Sequence, residues 1–513
     1  MPAMPNANRV HASVLTTPPS SGKAIQQCQS ELLELGQAPT IKVQQASPLS
    51  CTTERDVLIT SAASSSTGRT VRTTDGYGST KTTAGTAVAK SDSPRNVYAK
   101  KRVIVSAIAN LSTAYNLAVI NYALMMIRQT YPPSSPKLTS AVVSSSLCGA
   151  IVGQLTFGYI GDAIGRKKGM ILTLMLTIVG ALTSALLPWG PDSIYQILAL
   201  SRFVLGLGVG GVYPLSATTA AEASHDDVQN SKVVAAVFSF QGCGQLLAPL
   251  LTYVLLWLGV HAAIGWRILL AAGALPGLFV LHQAFEAHES SEFSARRMSG
   301  ADSMHRSLFD MLRQDTKLCR KLIGASLGWF LFDITFYGNV IFTPVILEDT
   351  YALDSHHLPD VALYSVVVAL IALPGYYATV WAVGRVTFKT IQMQGFVVMA
   401  ILFFILGAFY TPLLQFKALL LGLYAATFFF SNFGPNVSTF CLPAEIFPPD
   451  IRVKLNGISA ACGKIGATVG AAFFGVIEQD AGVEYVLVLS AFISLFGALV
   501  THRYIQSKHY SHH

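Results

Sequence analysis

The sequence predicts an all-α polytopic membrane protein in which twelve transmembrane helices form two six-helix bundles. Three observations predict it. Apolar residues make up 52% of the 513 positions and charged residues only 12%, a balance rare in soluble chains of this length. Apolar runs of spanning length recur from Val103 to Tyr504, and about 20 such residues cross a bilayer core as helix, with every backbone group bonded internally. A polar, basic stretch divides these runs six and six.

In chain order, residues 1–97 come first. They are rich in Ser, Thr, Ala and Gln, with repetitive pieces such as Ser64-Ser65-Ser66-Thr67 and Thr82-Thr83-Ala84-Gly85-Thr86. Such a segment has too little apolar surface to order itself, so a disordered tail is predicted. No apolar core follows a basic start near Met1, so a cleaved leader is not expected, and the first span serves as its own insertion signal. Spans are predicted at 103–127, 138–161, 169–188, 194–221, 233–258 and 264–284, and again at 322–347, 360–383, 393–412, 416–441, 455–477 and 483–503. The N-terminal bundle thus covers 98–285 and the C-terminal bundle 321–504. Between them lies a central loop, 286–320, with Arg296, Arg297, Arg306, Arg313, Lys317 and Arg320; residues 505–513 form a short tail.

Cytoplasmic loops are enriched in Lys and Arg near span ends. Lys100, Lys101 and Arg102 before span 1, Arg166, Lys167 and Lys168 after span 2, the central loop, and Arg452 with Lys454 before span 11 all fall on one side. The other side carries Glu348, Asp349, Asp354 and Asp360, then Glu478, Asp480 and Glu484. Both termini and the central loop are therefore expected in the cytoplasm. The net charge of +8 reads as topology, because no basic face is interleaved with aromatics as a nucleic-acid partner requires. The seven cysteines lack the short paired spacings of zinc, redox or disulfide sites and read as apolar fillers. No nucleophile–base pair, metal cluster or nucleotide loop is present, so neither an enzyme nor a cofactor is expected. The Gly-rich run of span 4 lies inside an apolar helix, without the strand that precedes a dinucleotide site.

Ionisable residues inside spans are costly and usually face a partner or a cavity. Asp333 lies within span 7 and Lys464 within span 11; Arg202, Glu222, Arg267 and Glu445 lie nearer span ends. Trp329, Asp333 and Tyr337 stand at i, i+4 and i+8 and share one helix face. Gln241 in span 5, Asn436 in span 10 and Tyr213 beside Pro214 in span 4 add uncharged donors. Two readings follow: a structural ion pair or gate latch, or a central site in which Lys464 attracts an anion and Asp333 handles a proton. A small tetrahedral oxyanion suits such a ring of donors.

The stretch Gly158-Tyr159-Ile160-Gly161-Asp162-Ala163-Ile164-Gly165-Arg166-Lys167-Lys168-Gly169 resembles the signature loop of the major facilitator superfamily. The resemblance implies the major facilitator fold and a gating role for Asp162 and Arg166. A decayed echo follows span 8 at Gly384-Arg385-Val386-Thr387-Phe388-Lys389, as an internally repeated transporter predicts. Arg202 leads a Gly-rich run in which Gly206 and Gly210 share a face. Arg202, Glu222, Glu445 and Arg452 complete the candidate gate.

Four stretches are similar to the phosphate:proton symporter family of that superfamily. They are Gly210 to Thr218, Phe238 to Gly242, Trp329 to Gly338, and Asn432 to Asn436 running on to Gly457 through Lys464. The resemblance implies Tyr213, Gln241, Trp329, Asp333, Tyr337, Asn436 and Lys464 as contacts to inorganic phosphate, protons as the coupling ion, and the plasma membrane as location. The chain departs from the family where acids are the rule: Ser112-Thr113-Ala114-Tyr115-Asn116 carries Thr113 and Asn116, and Val212 precedes Tyr213. None of these titrates usefully, which leaves Asp333 as the proton-coupling candidate, or transport without coupling. An organic phosphate or other small organic anion as cargo, and a phosphate receptor without transport, are the alternative readings. Oligomeric state is not encoded in any of these features.

Overall fold

Because lipid offers no hydrogen bonds, the backbone of an apolar chain must satisfy itself as helix. The computed structural model describes residues 94–187, 190, 193–223, 226–298, 308–351 and 358–506, and these are almost wholly helical. The predicted tail before residue 94, residues 299–307 of the central loop and residues 507–513 lie outside the described residues.

Twelve long helices follow the twelve predicted spans. The first six are α1 (Pro94–Thr130), α2 (Pro136–Ala163), α3 (Arg166–Leu186), α4 (Ile194–Ala221), α5 (Asp227–Trp257) and α6 (Ala262–Glu286). The second six are α7 (Thr316–Tyr351), α8 (Leu358–Ala382), α9 (Phe388–Ala408), α10 (Lys417–Ile446), α11 (Arg452–Ala481) and α12 (Val483–Tyr504). Eleven are long and apolar enough to cross a membrane; α7, with 36 residues, carries Asp333, Tyr337 and Asn339 along its length.

Helix ends overshoot the apolar runs because polar residues continue a helix into the interface. Thus α1 starts at Pro94 rather than 103, and α7 starts at Thr316, inside the predicted central loop. That loop is not structureless: it forms short helices at Ser291–Met298 and Leu308–Gln314.

Two breaks position polar groups. In α10 the backbone leaves helical geometry at Phe433 and Gly434, just before Pro435, whose ring cannot continue the i−4 ladder. The freed carbonyl of Phe433 accepts from Gln394, and Asn436 follows one turn on. In α6 the helix parts between Ala272 and Leu275, ahead of Pro276. The carbonyl of Gly273 then accepts from Asn116 Nδ2 at 2.8 Å and Ser112 Oγ at 3.3 Å.

We call the end of the bundle where α1 begins and α2 finishes the basic end, and the opposite end the acidic end. Toward the basic end the halves pack tightly. There α2 crosses α11 backbone to backbone: a Cβ on Gly457 would run into the carbonyl of Gln154. The α5–α8 side is sealed by aromatic packing, with Phe238 stacked on Phe440 at 4.3 Å and tilted against Tyr376 at 6.2 Å. Within the first half, α2 and α4 meet at Gly206 and Gly210, where an added Cβ would strike the carbonyls of Ser146 and Ala150.

Since those neighbours are backbone, a side chain at either glycine forces α2 and α4 apart, at a cost of roughly 1–3 kcal/mol or more. Gly206→Leu and Gly210→Leu should each lower the melting temperature of the purified protein in detergent markedly. Unchanged melting would contradict this packing.

Candidate functional site

The site starts from two charges. Lys464 on α11 donates from Nζ to Asp333 Oδ2 on α7 at 2.7 Å, and both side chains are 2% exposed. Two ions taken from water are costly, and pairing with further support lowers that cost. The support is aromatic: Lys464 Nζ lies 4.2 Å from the ring centroid of Tyr337 and 5.3 Å from that of Tyr213. Trp329 is buried one turn below Asp333 and meets Tyr213 edge-on at 6.2 Å. The shared face of Trp329, Asp333 and Tyr337 therefore points at the other half of the molecule.

From that half, Tyr213 donates its hydroxyl to Gln241 Oε1 at 3.0 Å. Across the boundary, Asn436 Nδ2 donates to the Tyr376 hydroxyl at 2.9 Å and to Asn432 Oδ1 at 2.7 Å. The Tyr376 hydroxyl in turn donates to Gln245 Oε1 at 3.1 Å, linking α8 to α5. All seven predicted contact residues thus converge on one region between the halves. Sequence reasoning missed Tyr376 and Gln245. For Gln245 a signal existed, since it sits one turn beyond Gln241 on the same face of an apolar helix; Tyr376 gave none.

Toward the acidic end a cavity of about 100 Å³ opens over this cluster, with Gln241, Gln245, Tyr337, Asn121 and Thr343 among its walls. Tyr337 both lines it and carries Lys464 on its ring, so one aromatic separates the open space from the cation. None of the lining side chains is charged.

The candidate gate residues gather at the basic end, with one exception. Arg166 reaches Glu222 Oε1 at 3.2 Å and Asp162 Oδ1 at 3.4 Å, and donates to the carbonyl of Gly161 at 3.1 Å. Glu445 accepts from Ser231 Oγ at 3.4 Å, joining α10 to α5, and Arg452 Nε donates to the carbonyl of Phe447 at 3.3 Å. Glu445 and Arg452 line a second cavity of about 60 Å³ between the halves. Arg202 is not brought to this cluster. At 1.5 Å per residue it lies about 30 Å up α4 from Glu222, and it donates instead to the carbonyl of Asn116.

Sequence reasoning also missed Glu289, just after α6. Its Oε1 accepts from the backbone N–H of Arg166 at 3.1 Å and Lys167 at 3.3 Å, capping α3 with a carboxylate from a remote segment. Phe293 packs beneath the Arg166 guanidinium at 4.9 Å, and Arg102 donates to the Glu289 carbonyl at 2.9 Å.

Thr113, Asn116 and Val212 are packed as neutral groups. Asn116 is tied to α6, Val212 sits in an apolar cluster with Phe157 and Leu215, and Thr113 is buried. Among the described residues no group of three or more His, Cys, Asp and Glu could hold a metal ion.

Comparison with known proteins places this geometry. The family model described as sugar (and other) transporter matches residues 102–512. The chain is 33% identical over 414 residues to the inorganic phosphate transporter PT2 of Toxoplasma gondii, covering 79% of this chain and 72% of that protein. It is 32% identical over 463 residues to the probable inorganic phosphate transporter 1-6 of Arabidopsis thaliana, covering 78% and 90%. Among solved structures, the proton:xylose symporter XylE bound to 6-bromo-6-deoxy-D-glucose superposes with a TM-score of 0.68 at 20% identity, over 80% of this chain and 97% of that one. The chain is therefore a multi-pass membrane protein of the sugar (and other) transporter family, within the major facilitator superfamily, and belongs with its inorganic phosphate transporters.

Proposed function

We propose that this chain carries inorganic phosphate across a membrane by alternating access, the anion binding between the halves at Lys464, Asp333, Tyr213, Gln241, Trp329, Tyr337 and Asn436. The observation that carries the reading is the buried Lys464–Asp333 pair at 2.7 Å, facing donors of the opposite half beneath an open cavity. A phosphate monoanion suits the pair chemically. One of its P–O⁻ oxygens can accept from Lys464 while a P–OH donates to Asp333, so the ion replaces each partner with an equivalent hydrogen bond. Binding then dissolves a contact within the C-terminal half and builds contacts across both halves, which is what rocking one half past the other requires.

The basic end is the gate in this reading, and the charge bias of the loops puts it and both termini in the cytoplasm, with the plasma membrane as the family location. Asp162, Arg166, Glu222, Glu445 and Arg452, with Glu289, hold the basic end closed while the cavity faces the acidic end. Positions 113, 116 and 212 are Thr, Asn and Val, so we infer that any proton coupling runs through Asp333. The protein acts as a carrier, not a catalyst.

Labelled phosphate uptake into proteoliposomes tests this. Lys464→Ala should cut uptake at least tenfold, and the unpaired carboxylate it leaves should cost stability by about 3–5 kcal/mol. The double variant Lys464→Ala/Asp333→Asn should recover melting but not uptake; recovered uptake would mean a purely structural ion pair. An inward proton gradient should stimulate the wild type but not Asp333→Asn; equal stimulation of both would remove Asp333 from coupling, and no stimulation of either would mean uncoupled transport. Glycerophosphate and sulfate should compete poorly, whereas strong competition by glycerophosphate would favour an organic phosphate as cargo. Glu289→Ala, which uncaps α3 beside Arg166, should lower the melting temperature and shift protease access toward the open gate; unaltered access would detach the linker from the gate.

A further inference from the structure

Arg202 is the least balanced charge in the described interior. It is fully buried, and its guanidinium donates from Nη2 to the carbonyl of Asn116. Nε and Nη1 have no hydrogen-bond partner, and no carboxylate pairs with it among the described residues. Its neighbours are already engaged elsewhere: the Tyr115 hydroxyl donates to the carbonyl of Leu269 at 2.8 Å, and Asn116 Nδ2 to that of Gly273 at 2.8 Å. A cation so placed is expensive in a membrane interior, and a single hydrogen bond to a carbonyl holds it there.

Its position suggests what it does. Ala114, Leu117 and Ala118 of α1 form part of the wall of the cavity, while the carbonyl of Asn116, on the same turns, holds the Arg202 guanidinium. The cation thus stands behind the α1 wall, about one helix diameter, ~10 Å, from the open space. The cavity lining itself is uncharged, and Lys464 is neutralised by Asp333 at 2.7 Å until an anion arrives. A full charge at that distance, with an effective dielectric constant of about 20, changes the occupancy of a monovalent anion by roughly tenfold.

We propose that Arg202 is a specificity-determining residue, a fixed buried cation that makes the uncharged cavity attractive to anions before they reach Lys464. It acts by field alone and touches neither the anion nor the gate. This inference rests on the phosphate-transport reading, and the test separates the two.

The test is the concentration dependence of labelled phosphate uptake in proteoliposomes with equal pH on both sides, for wild type, Arg202→Lys, Arg202→Gln and Arg202→Met. Arg202→Lys keeps the charge and should keep the wild-type KM. Arg202→Gln and Arg202→Met both remove the charge, so each should raise KM roughly tenfold with little change in maximal rate. Should Arg202→Gln fail to yield monodisperse protein, Arg202→Met, which leaves no new polar atom in the apolar interior, decides alone. An unchanged KM in the charge-free variants, or a loss of maximal rate in all variants at constant KM, would assign Arg202 to scaffolding and overturn the proposal. A wild type without phosphate uptake would overturn the transport reading and this inference together, an outcome distinct from wild-type uptake with variant-independent KM.

Discussion

Two opposite charges, each costly to bury without the other, set the geometry of this molecule. Lys464 and Asp333 must meet, so α7 and α11 are held in one register, and that register turns Trp329 and Tyr337 toward Tyr213 on the facing half. The hydrogen-bond chain from Asn436 through Tyr376 to Gln245 then crosses the boundary a second time. An anion that takes over Lys464 alters the contact on which these orientations depend. In the proposed mechanism binding and rearrangement are therefore one event.

The halves share an architecture but not a gate. In the first, the turn after α2 is held by three carboxylates, from Asp162, Glu222 and Glu289. In the second, the equivalent turn has no acid at its centre: Arg385 lies over the Trp381 ring at 4.5 Å, and Lys389 donates to the carbonyl of His502 at 3.2 Å. The turn of the first half is thus held ionically and that of the second by weaker contacts, and in the proposed mechanism this asymmetry makes the N-terminal half and its docked linker the stiffer side of the gate.

Much of this was legible in the sequence, for reasons that differ by residue. The spans were visible because lipid demands long apolar runs, and their edges blurred because residues such as Lys100 to Arg102 continue a helix beyond the run. The face of Trp329, Asp333 and Tyr337 followed from helical spacing, and Lys464 stood out as the charge inside span 11. The break in α10 at Phe433 and Gly434 was not foreseen, although Pro435, which cannot continue the helical ladder, follows it directly. Glu289 was not legible, since it caps a helix 123 residues away in the chain and nothing local marks it. Tyr376 looked like an ordinary apolar-span tyrosine until its hydroxyl partners appeared. Arg202 was counted with the candidate gate, but helical rise puts it at the end of α4 opposite Glu222.

In the proposed mechanism a tetraoxo anion displaces the Asp333–Lys464 contact. A structure determined with bound arsenate, located by its anomalous scattering, tests it most directly. Density is expected within hydrogen-bond reach of Lys464 Nζ, Tyr213 and Gln241, with Lys464 drawn off Asp333. Anion density elsewhere, with the 2.7 Å contact intact, would contradict it.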